Sequence, residues 1–427
     1  MRYSIIGATL KEVQTIGGKE IQLAKYSGII FAELDEDQAD FLELMGTAVS
    51  PVVRIGVDTP KPKHLIKPVD ILPPVPLVPV EGEITYESYQ LMIAAGYDEL
   101  RSMMVPPLYG SGFTIAIIDT GIRETHERIG GRVVYSKNYT SDTMRDGFNH
   151  GTGVCGLAIA TAPEANILNL KVMDDNGNGT EEEVVMAIDD CIDMVINDSE
   201  YAPHVINLSL GADDDGNPYN ILRVMCREAI ARGIWIFAAT GNEGTIMNPA
   251  CERYVGAVGS VDYEPFQASG YSGIGPTLEG LVKPDFVMYG QNVVTASSVS
   301  DTATIVKSGT SFSTPFISGI ALLTREGQYR HALLTEEIPQ IAWEQGWAMT
   351  QQVLIDDLGR YICIKPQGAP SGKDNVYGWG MPFGETIKQV FTATPMAGIS
   401  SIFAVMPVML MVGMMGSIFK EDKVGAR

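Results

Sequence analysis

The sequence predicts an α/β protein: a doubly wound, mostly parallel sheet with helices on both faces, preceded by a small α+β domain and followed by an apolar C-terminal helix. Three observations carry this. From about residue 110 onward, apolar runs of strand length alternate with helix-length segments, the pattern of a parallel sheet wound with crossover helices. A proline-crowded stretch separates this region from the first 58 residues. No charged residue occurs between Gln389 and Phe419. The expected units are therefore a domain over 1–58, a linker over 59–83, a main domain over 84–385 and a tail over 386–427.

In the first unit, residues 3–6 and 28–34 read as strands. Asp35, Glu36, Asp37 and Gln38 open an acidic first turn of a helix running towards Met45, as the helix dipole favours. Residues 49–57 are strand-like again. Pro60, Pro62, Pro68, Pro73, Pro74, Pro76 and Pro79 then exclude helix and central strand and favour an extended chain. A helix is expected over residues 86–104.

The main unit opens with the apolar run 113–118, a buried parallel strand, which ends at Asp119-Thr120-Gly121. His150-Gly151-Thr152-Gly153-Val154-Cys155-Gly156 follows, small residues around one imidazole at a helix start. Residues 167–172 form a strand leading into the loop Asp174-Asp175-Asn176-Gly177-Asn178-Gly179. Thr180 and Glu183 make a capping box for a helix to about Ile196. Strands follow at 205–211, 234–239 and 254–261, with a helix over 219–232 closed by Gly233. Residues 301–306 are a strand and 316–323 a buried helix, with Ser311 at the turn between them and Pro315 in the first helical turn.

Composition narrows the function classes. The chain has 427 residues, a net charge of −22 and five cysteines, none in a C-x-x-C pair. Such acidity excludes a phosphate-binding surface, so no nucleic acid is expected as partner. The cysteines support neither a disulfide framework nor a zinc site and read as buried thiols. The N-terminus shows no secretory signal peptide.

Chemistry gathers at a few positions. Ser311 faces the N–H groups of a helix start, which suits either an N-cap or a nucleophile beside a base. Asp119 lies at the carboxyl end of a parallel strand, where such folds place their sites. His150 alone among the five histidines opens a helix of small residues. Asn242, in Thr240-Gly241-Asn242-Glu243-Gly244, ends another strand. All four could meet at one sheet edge, in the chain order Asp, His, Ser.

Here the chain resembles the subtilisin-like serine peptidases, the subtilase family. The resemblance rests on Asp119-Thr120-Gly121, His150-Gly151-Thr152-Gly153, Asn207-Leu208-Ser209-Leu210-Gly211, Ala239-Thr240-Gly241-Asn242-Glu243-Gly244 and Gly309-Thr310-Ser311-Phe312-Ser313-Thr314-Pro315. It implies a serine endopeptidase, with Ser311 as nucleophile, His150 as general base, Asp119 orienting the imidazole and Asn242 in the oxyanion hole. It implies that Gly177, Asn178 and Gly179 pair with a polypeptide substrate on one side and Ser209, Leu210 and Gly211 on the other. Ala239, Thr240 and Gly241 would wall the pocket for the residue before the cut, and their small size predicts a roomy pocket. Residues 1–58 resemble the family's inhibitory propeptide. The implied protein is thus a self-processing zymogen inhibited by its own N-terminal domain, with the cut expected near residues 80–95. Gly153 replaces the family's second histidine, Cys155 a common alanine, and Phe312-Ser313 a commoner Met-Ala pair; residues 327–373 have no clear family match.

No cofactor is required for this chemistry. Structural calcium has only Asp142, Asp146, Asp174 and Asp175 as candidate ligands, which read better as solvated acids. The alternative function is a catalytically silent scaffold of the same fold, acting by binding through its apolar tail. Residues 399–419 are long enough to span a bilayer as a transmembrane helix, so membrane association is expected. Lys420, Lys423 and Arg427 favour the cytosolic side for the flank, while the lack of a signal leaves the side open.

Overall fold

The computed structural model describes residues 1–52 except 27 and 46, residues 67–68, residues 85–335 except 103, residue 355 and residues 359–393. The apolar stretch 399–419 lies outside the described residues. Among those described, no helix is long and apolar enough to cross a membrane.

The N-terminal domain is a four-stranded antiparallel sheet. Its order is Lys19–Ala24, Ile29–Glu33, Arg2–Ile6, Ala48–Pro51, with two short helices. Both helices carry complete capping boxes, Thr9 with Glu12 and Asp35 with Gln38. Ile5, Ile30, Val13 and Leu42 fill the small core between sheet and helices. Ala24, Ile29 and Phe31 instead join the core of the larger domain.

The main sheet runs Gln267–Ala268, Gly256–Asp262, Trp235–Ala239, Val205–Leu208, Thr114–Asp119, Asn166–Lys171, Val133–Asn138, with Phe286–Tyr289 also paired to Gly256–Asp262. All pairs are parallel except Gln267–Ala268. The central strands are fully buried apolar runs, as a sheet covered on both faces requires. The helices Gly151–Thr161 and Thr310–Thr335 pack together, and Glu181–Ile196 packs with Ile221–Ala231. Two separate apolar clusters accompany these two pairs. The chain order reverses about Thr114–Asp119, whose two neighbours are Asn166–Lys171 and Val205–Leu208. A crevice outside the carboxyl ends at such a switch point is where this architecture places its sites.

Several elements differ from expectation. The helix expected over 86–104 is a short strand, Tyr86–Glu87, and two short helices, Ser88–Ala94 and Tyr97–Arg101. Gly96 separates the helices at φ +74°, a left-handed conformation that ends one helix and turns the chain. Pro315 lies inside the helix Thr310–Thr335 rather than in its first turn. Its missing N–H would have served the Ser311 carbonyl four residues back, and Ser209 Oγ donates to that carbonyl instead, at 2.8 Å. Within the proline-rich linker, Lys67–Pro68 pairs antiparallel with Leu210–Gly211, an edge position that proline tolerates. Finally, the helix Gly384–Ala393 returns to the Tyr97–Arg101 helix, and Gly384 N donates to Ala95 O at 2.9 Å.

Candidate active site

Asp119 closes its strand at the sheet's carboxyl edge, and His150 is the N-cap of the helix Gly151–Thr161. The structure brings them together: His150 Nδ1 stands 2.7 Å from Asp119 Oδ1, and both side chains are buried. Asp119 Oδ1 also accepts from Thr120 N at 2.7 Å. The same oxygen is thus held from its own loop and from the imidazole. Phe312 packs edge-on to the His150 ring, with centroids 5.4 Å apart.

Asp146 is the residue that sequence reasoning misjudged. It is only 5% exposed, not a solvated acid. Its Oδ1 accepts from Thr120 Oγ1 and Asn149 N, both at 2.8 Å, and from His150 N at 3.3 Å. Its Oδ2 accepts from Thr152 N at 2.9 Å. One carboxylate therefore serves the otherwise unpaired donors at the start of the His150 helix and ties them to the Asp119 loop. Thr120 Oγ1 in turn accepts from Gly151 N at 2.9 Å. Burial pushes the Asp146 carboxyl above its usual range, against the pull of the Thr152 and Thr120 hydrogen bonds. The signal in sequence was an acid four residues before the histidine.

The other three candidate calcium ligands are also engaged by the protein. Asp142 accepts from Asp175 N, Asp174 from Asn176 N and Asn178 N, each at 2.8 Å. Asp175 pairs with Arg145 and with the fully buried Lys171, 3.0 Å away. Lys171 Nζ donates as well to Thr120 O at 2.7 Å and Arg145 O at 2.9 Å. Among the described residues no cluster of three or more potential metal ligands occurs.

Ser311 is the second residue of the helix Thr310–Thr335 rather than its N-cap. Its Oγ donates to Ser209 O at 3.2 Å. Ser209 Oγ is anchored by Asn207 Nδ2 at 3.0 Å, and Asn207 Oδ1 accepts from Ser318 Oγ at 2.9 Å. The nucleophile candidate is thus held to the Val205–Leu208 strand from both sides. Ser311 and His150 have no solvent exposure.

Asn242 reaches the same edge. Its Oδ1 accepts from Thr310 N at 3.0 Å and Thr310 Oγ1 at 3.1 Å, which turns the amide Nδ2 away from Thr310. Thr310 Oγ1 also accepts from Gly241 N at 3.2 Å. Thr310 was missed from the sequence, where it reads only as a helix-start residue.

Of the substrate-binding candidates, Ser209, Leu210 and Gly211 are buried and lie along the strand edge. Gly177, at φ +74°, turns the loop that carries Asn178 and Gly179, and a Cβ there would stand 2.9 Å from the Phe148 ring. Ala239, Thr240 and Gly241 are fully or almost fully buried. Beside them Met247, 7% exposed, packs on Ala239, and its Sδ lies 2.8 Å from where a Cβ on Gly241 would stand.

The departures at Gly153 and Phe312 lie next to each other. A Cβ on Gly153 would stand 3.0 Å from Thr295 Cγ2 and 3.3 Å from Phe312 Cε1. Thr295, the Ala296 carbonyl and the Phe312 ring together occupy room that a side chain at 153 would need. Cys155 is a fully buried thiol whose pKa burial raises, hence inert.

An Asp–His pair and a helix-borne serine, gathered at the carboxyl edge of a doubly wound sheet in that chain order, define the class of α/β proteins built around such a constellation. The subtilase family's sequence profile matches residues 110–380, and the chain belongs to the subtilase family. It is similar to subtilisin-like protease 1 of Trichophyton equinum, 30% identical over 228 residues that cover 51% of this chain and 42% of that protein. It is also similar to the serine protease AprX of Bacillus subtilis (strain 168), 28% identical over 255 residues, covering 51% and 57%. A third relative is the thermophilic serine proteinase of Bacillus sp. (strain AK1), 32% identical over 246 residues, covering 54% and 57%. The chain spans about half the length of the curated relatives it matches.

Proposed function

We propose that this protein is a serine endopeptidase made as a self-processing zymogen. The observation that carries the reading is the buried His150 Nδ1–Asp119 Oδ1 pair at 2.7 Å at the same sheet edge as Ser311. A carboxylate on Nδ1 leaves Nε2 as the basic nitrogen and stabilises the imidazolium that forms. Ser311 Oγ turns from Ser209 O to attack a peptide carbonyl, His150 Nε2 takes its proton, and the proton then passes to the leaving amine. The oxyanion that develops is met by Asn242 Nδ2 and the Ser311 N–H at a helix start. The relatives, all named as proteases, support the same reading.

The N-terminal domain acts as the intramolecular inhibitor. It docks on the helix Glu181–Ile196 through Asp189, whose Oδ2 and Oδ1 accept from Lys25 N at 2.8 Å and Tyr26 N at 3.0 Å. Tyr26 OH donates to Asp193 at 2.5 Å, and Arg2 forks onto Glu182 through Nε at 2.9 Å and Nη2 at 2.5 Å. The Lys67–Pro68 pairing with Leu210–Gly211 lays part of the linker against a candidate substrate-binding segment. A fluorophosphonate should add once to the N-terminally processed wild type and not to Ser311→Ala, read by intact mass. A processed, folded chain that takes no adduct would sink the reading in favour of a silent scaffold.

A further inference from the structure

We propose that Lys171 is a positioning residue of the candidate site: its buried ammonium locks the Asp119 loop, the loop that leads to His150 and the substrate-binding loop into one body. This rests on the serine-peptidase reading above and deepens it by naming what keeps a bound peptide in register with Ser311 and His150.

Lys171 ends the strand Asn166–Lys171, and its backbone lies opposite Asp119 in the parallel register. Its side chain has no solvent exposure. A lysine is almost never fully buried unless its charge is paired. An ammonium has three N–H donors and no acceptor, and here all three find oxygens: Thr120 O at 2.7 Å, Arg145 O at 2.9 Å and Asp175 Oδ1 at 3.0 Å. These oxygens belong to three separate segments of the candidate site. Thr120 follows Asp119. Arg145 precedes Asp146, the carboxylate that serves the start of the His150 helix. Asp175 stands near the head of the loop that carries Gly177, Asn178 and Gly179.

The packing around Asp175 is tight. Asp175 N donates to Asp142 Oδ2 at 2.8 Å, and a Cβ added to Gly147 would stand 2.2 Å from Asp175 Cγ. The substrate-binding loop is thus seated directly on the turn that leads to His150, and Gly147 leaves the room for it. Arg145 also reaches Asp175, through Nη2 at 3.2 Å, but its side chain is 76% exposed, so water and salt screen that contact. The buried Lys171 contact is screened far less. Strand pairing does not depend on the ammonium: Asn166–Lys171 is paired with Thr114–Asp119 on one side and Val133–Asn138 on the other. What the ammonium adds is the tie between loops.

With the tie in place, a peptide laid along the substrate-binding loop moves with Asp119 and His150. Without it, the Asp175 carboxylate faces the Thr120 and Arg145 carbonyls with no cation between them, and repulsion drives the loop away. A displacement of about 1 Å at a reacting centre costs about 10²-fold in rate. The arms of the tie separate in function. The Thr120 and Arg145 arms hold the Asp119–His150 pair, and the Asp175 arm holds the peptide.

The test compares N-terminally processed wild type, Lys171→Met and Asp175→Ala. A trace of wild type supplies the cut to a variant that does not process itself, and intact mass tells the species apart. Two quantities are read. One is the rate at which a small fluorophosphonate labels Ser311, which needs no extended peptide. The other is the protection that a competing peptide substrate gives against the reagent, which reports peptide affinity. Lys171→Met should label about tenfold or more slowly and be protected more weakly. Asp175→Ala should label at close to the wild-type rate, while its protection needs several-fold more peptide. A Lys171→Met protein that stays folded by near-ultraviolet circular dichroism, yet labels and is protected like wild type, would overturn the proposal and leave Lys171 a stabilising side chain only. If Lys171→Met does not fold, Asp175→Ala decides: weaker protection at a near wild-type labelling rate supports the tie, and unchanged protection overturns it. Slow labelling of Asp175→Ala with unchanged protection would overturn it too, because the arms would then not be separate. Wild type that takes no adduct would fail the peptidase reading itself, and this proposal with it.

Discussion

Thr310 spends both of its hydrogen-bond donors on one task. Its N–H and its hydroxyl both hold Asn242 Oδ1, so the amide proposed to meet the oxyanion is aimed by a neighbour of the proposed nucleophile. Thr310→Val keeps the shape and the N–H but loses the hydroxyl. Removing an oxyanion donor outright costs about 10²–10³ in kcat; misaiming it should cost less, about tenfold in kcat with KM unchanged, and Thr310→Ser should restore the rate. Peptide-hydrolysis kinetics on the three proteins checks this, and a change confined to KM would contradict it. Asp119, His150, Asn242 and Ser311 were legible in the sequence because each sits at a strand end or helix start among small residues. Asp146, Thr310 and Met247 were not, because their work depends on what they face across the fold. An acid reads as solvated until the helix start it caps is seen.

At the scale of elements, the His150 helix and the Ser311 helix set each other's composition. Gly153 gives up a side chain, and Phe312 fills the space beside Thr295 and the His150 ring. Seen one at a time, the two residues look like unrelated departures from the family pattern. Gly153→His alone should overpack this contact and cost about 1–3 kcal/mol, and Phe312→Met should relieve part of that cost. A double-mutant cycle by denaturant unfolding should return a coupling of about 1 kcal/mol or more; additivity would show that the two positions are independent. The strand-and-helix alternation was readable over most of the main domain, since buried parallel strands are continuous apolar runs. The first helix expected after the linker was not, because the left-handed turn at Gly96 answers to the close approach of Gly384, whose added Cβ would collide with Gly96 O. That contact joins segments nearly 300 residues apart, and no local pattern encodes it.

For the whole molecule, acid should act through His204. Its Nδ1 accepts from Thr114 N at 3.1 Å and its ring lies 4.5 Å from that of Phe113. Burial, with the Arg325 guanidinium nearby, pushes its pKa down to about 3 from an ordinary value of 6.5. A histidine lowered in this way adds stability above pH 6.5, and that stability is lost as the pH falls from 6.5 towards 3, because the unfolded chain takes up the proton first. His204→Gln should flatten the dependence of unfolding free energy on pH across that window, even if it lowers stability at pH 8. An unchanged slope would place the acid sensitivity elsewhere. The docking of the N-terminal domain carries a different kind of consequence. Asp189 grips that domain by the main-chain N–H groups of Lys25 and Tyr26, which every amino acid but proline possesses. At Asp189, then, the two sides are constrained differently: the N-terminal domain's turn is read there through its backbone alone, while the helix must keep its carboxylate, and the side chains of Lys25 and Tyr26 are read separately, at Asp193.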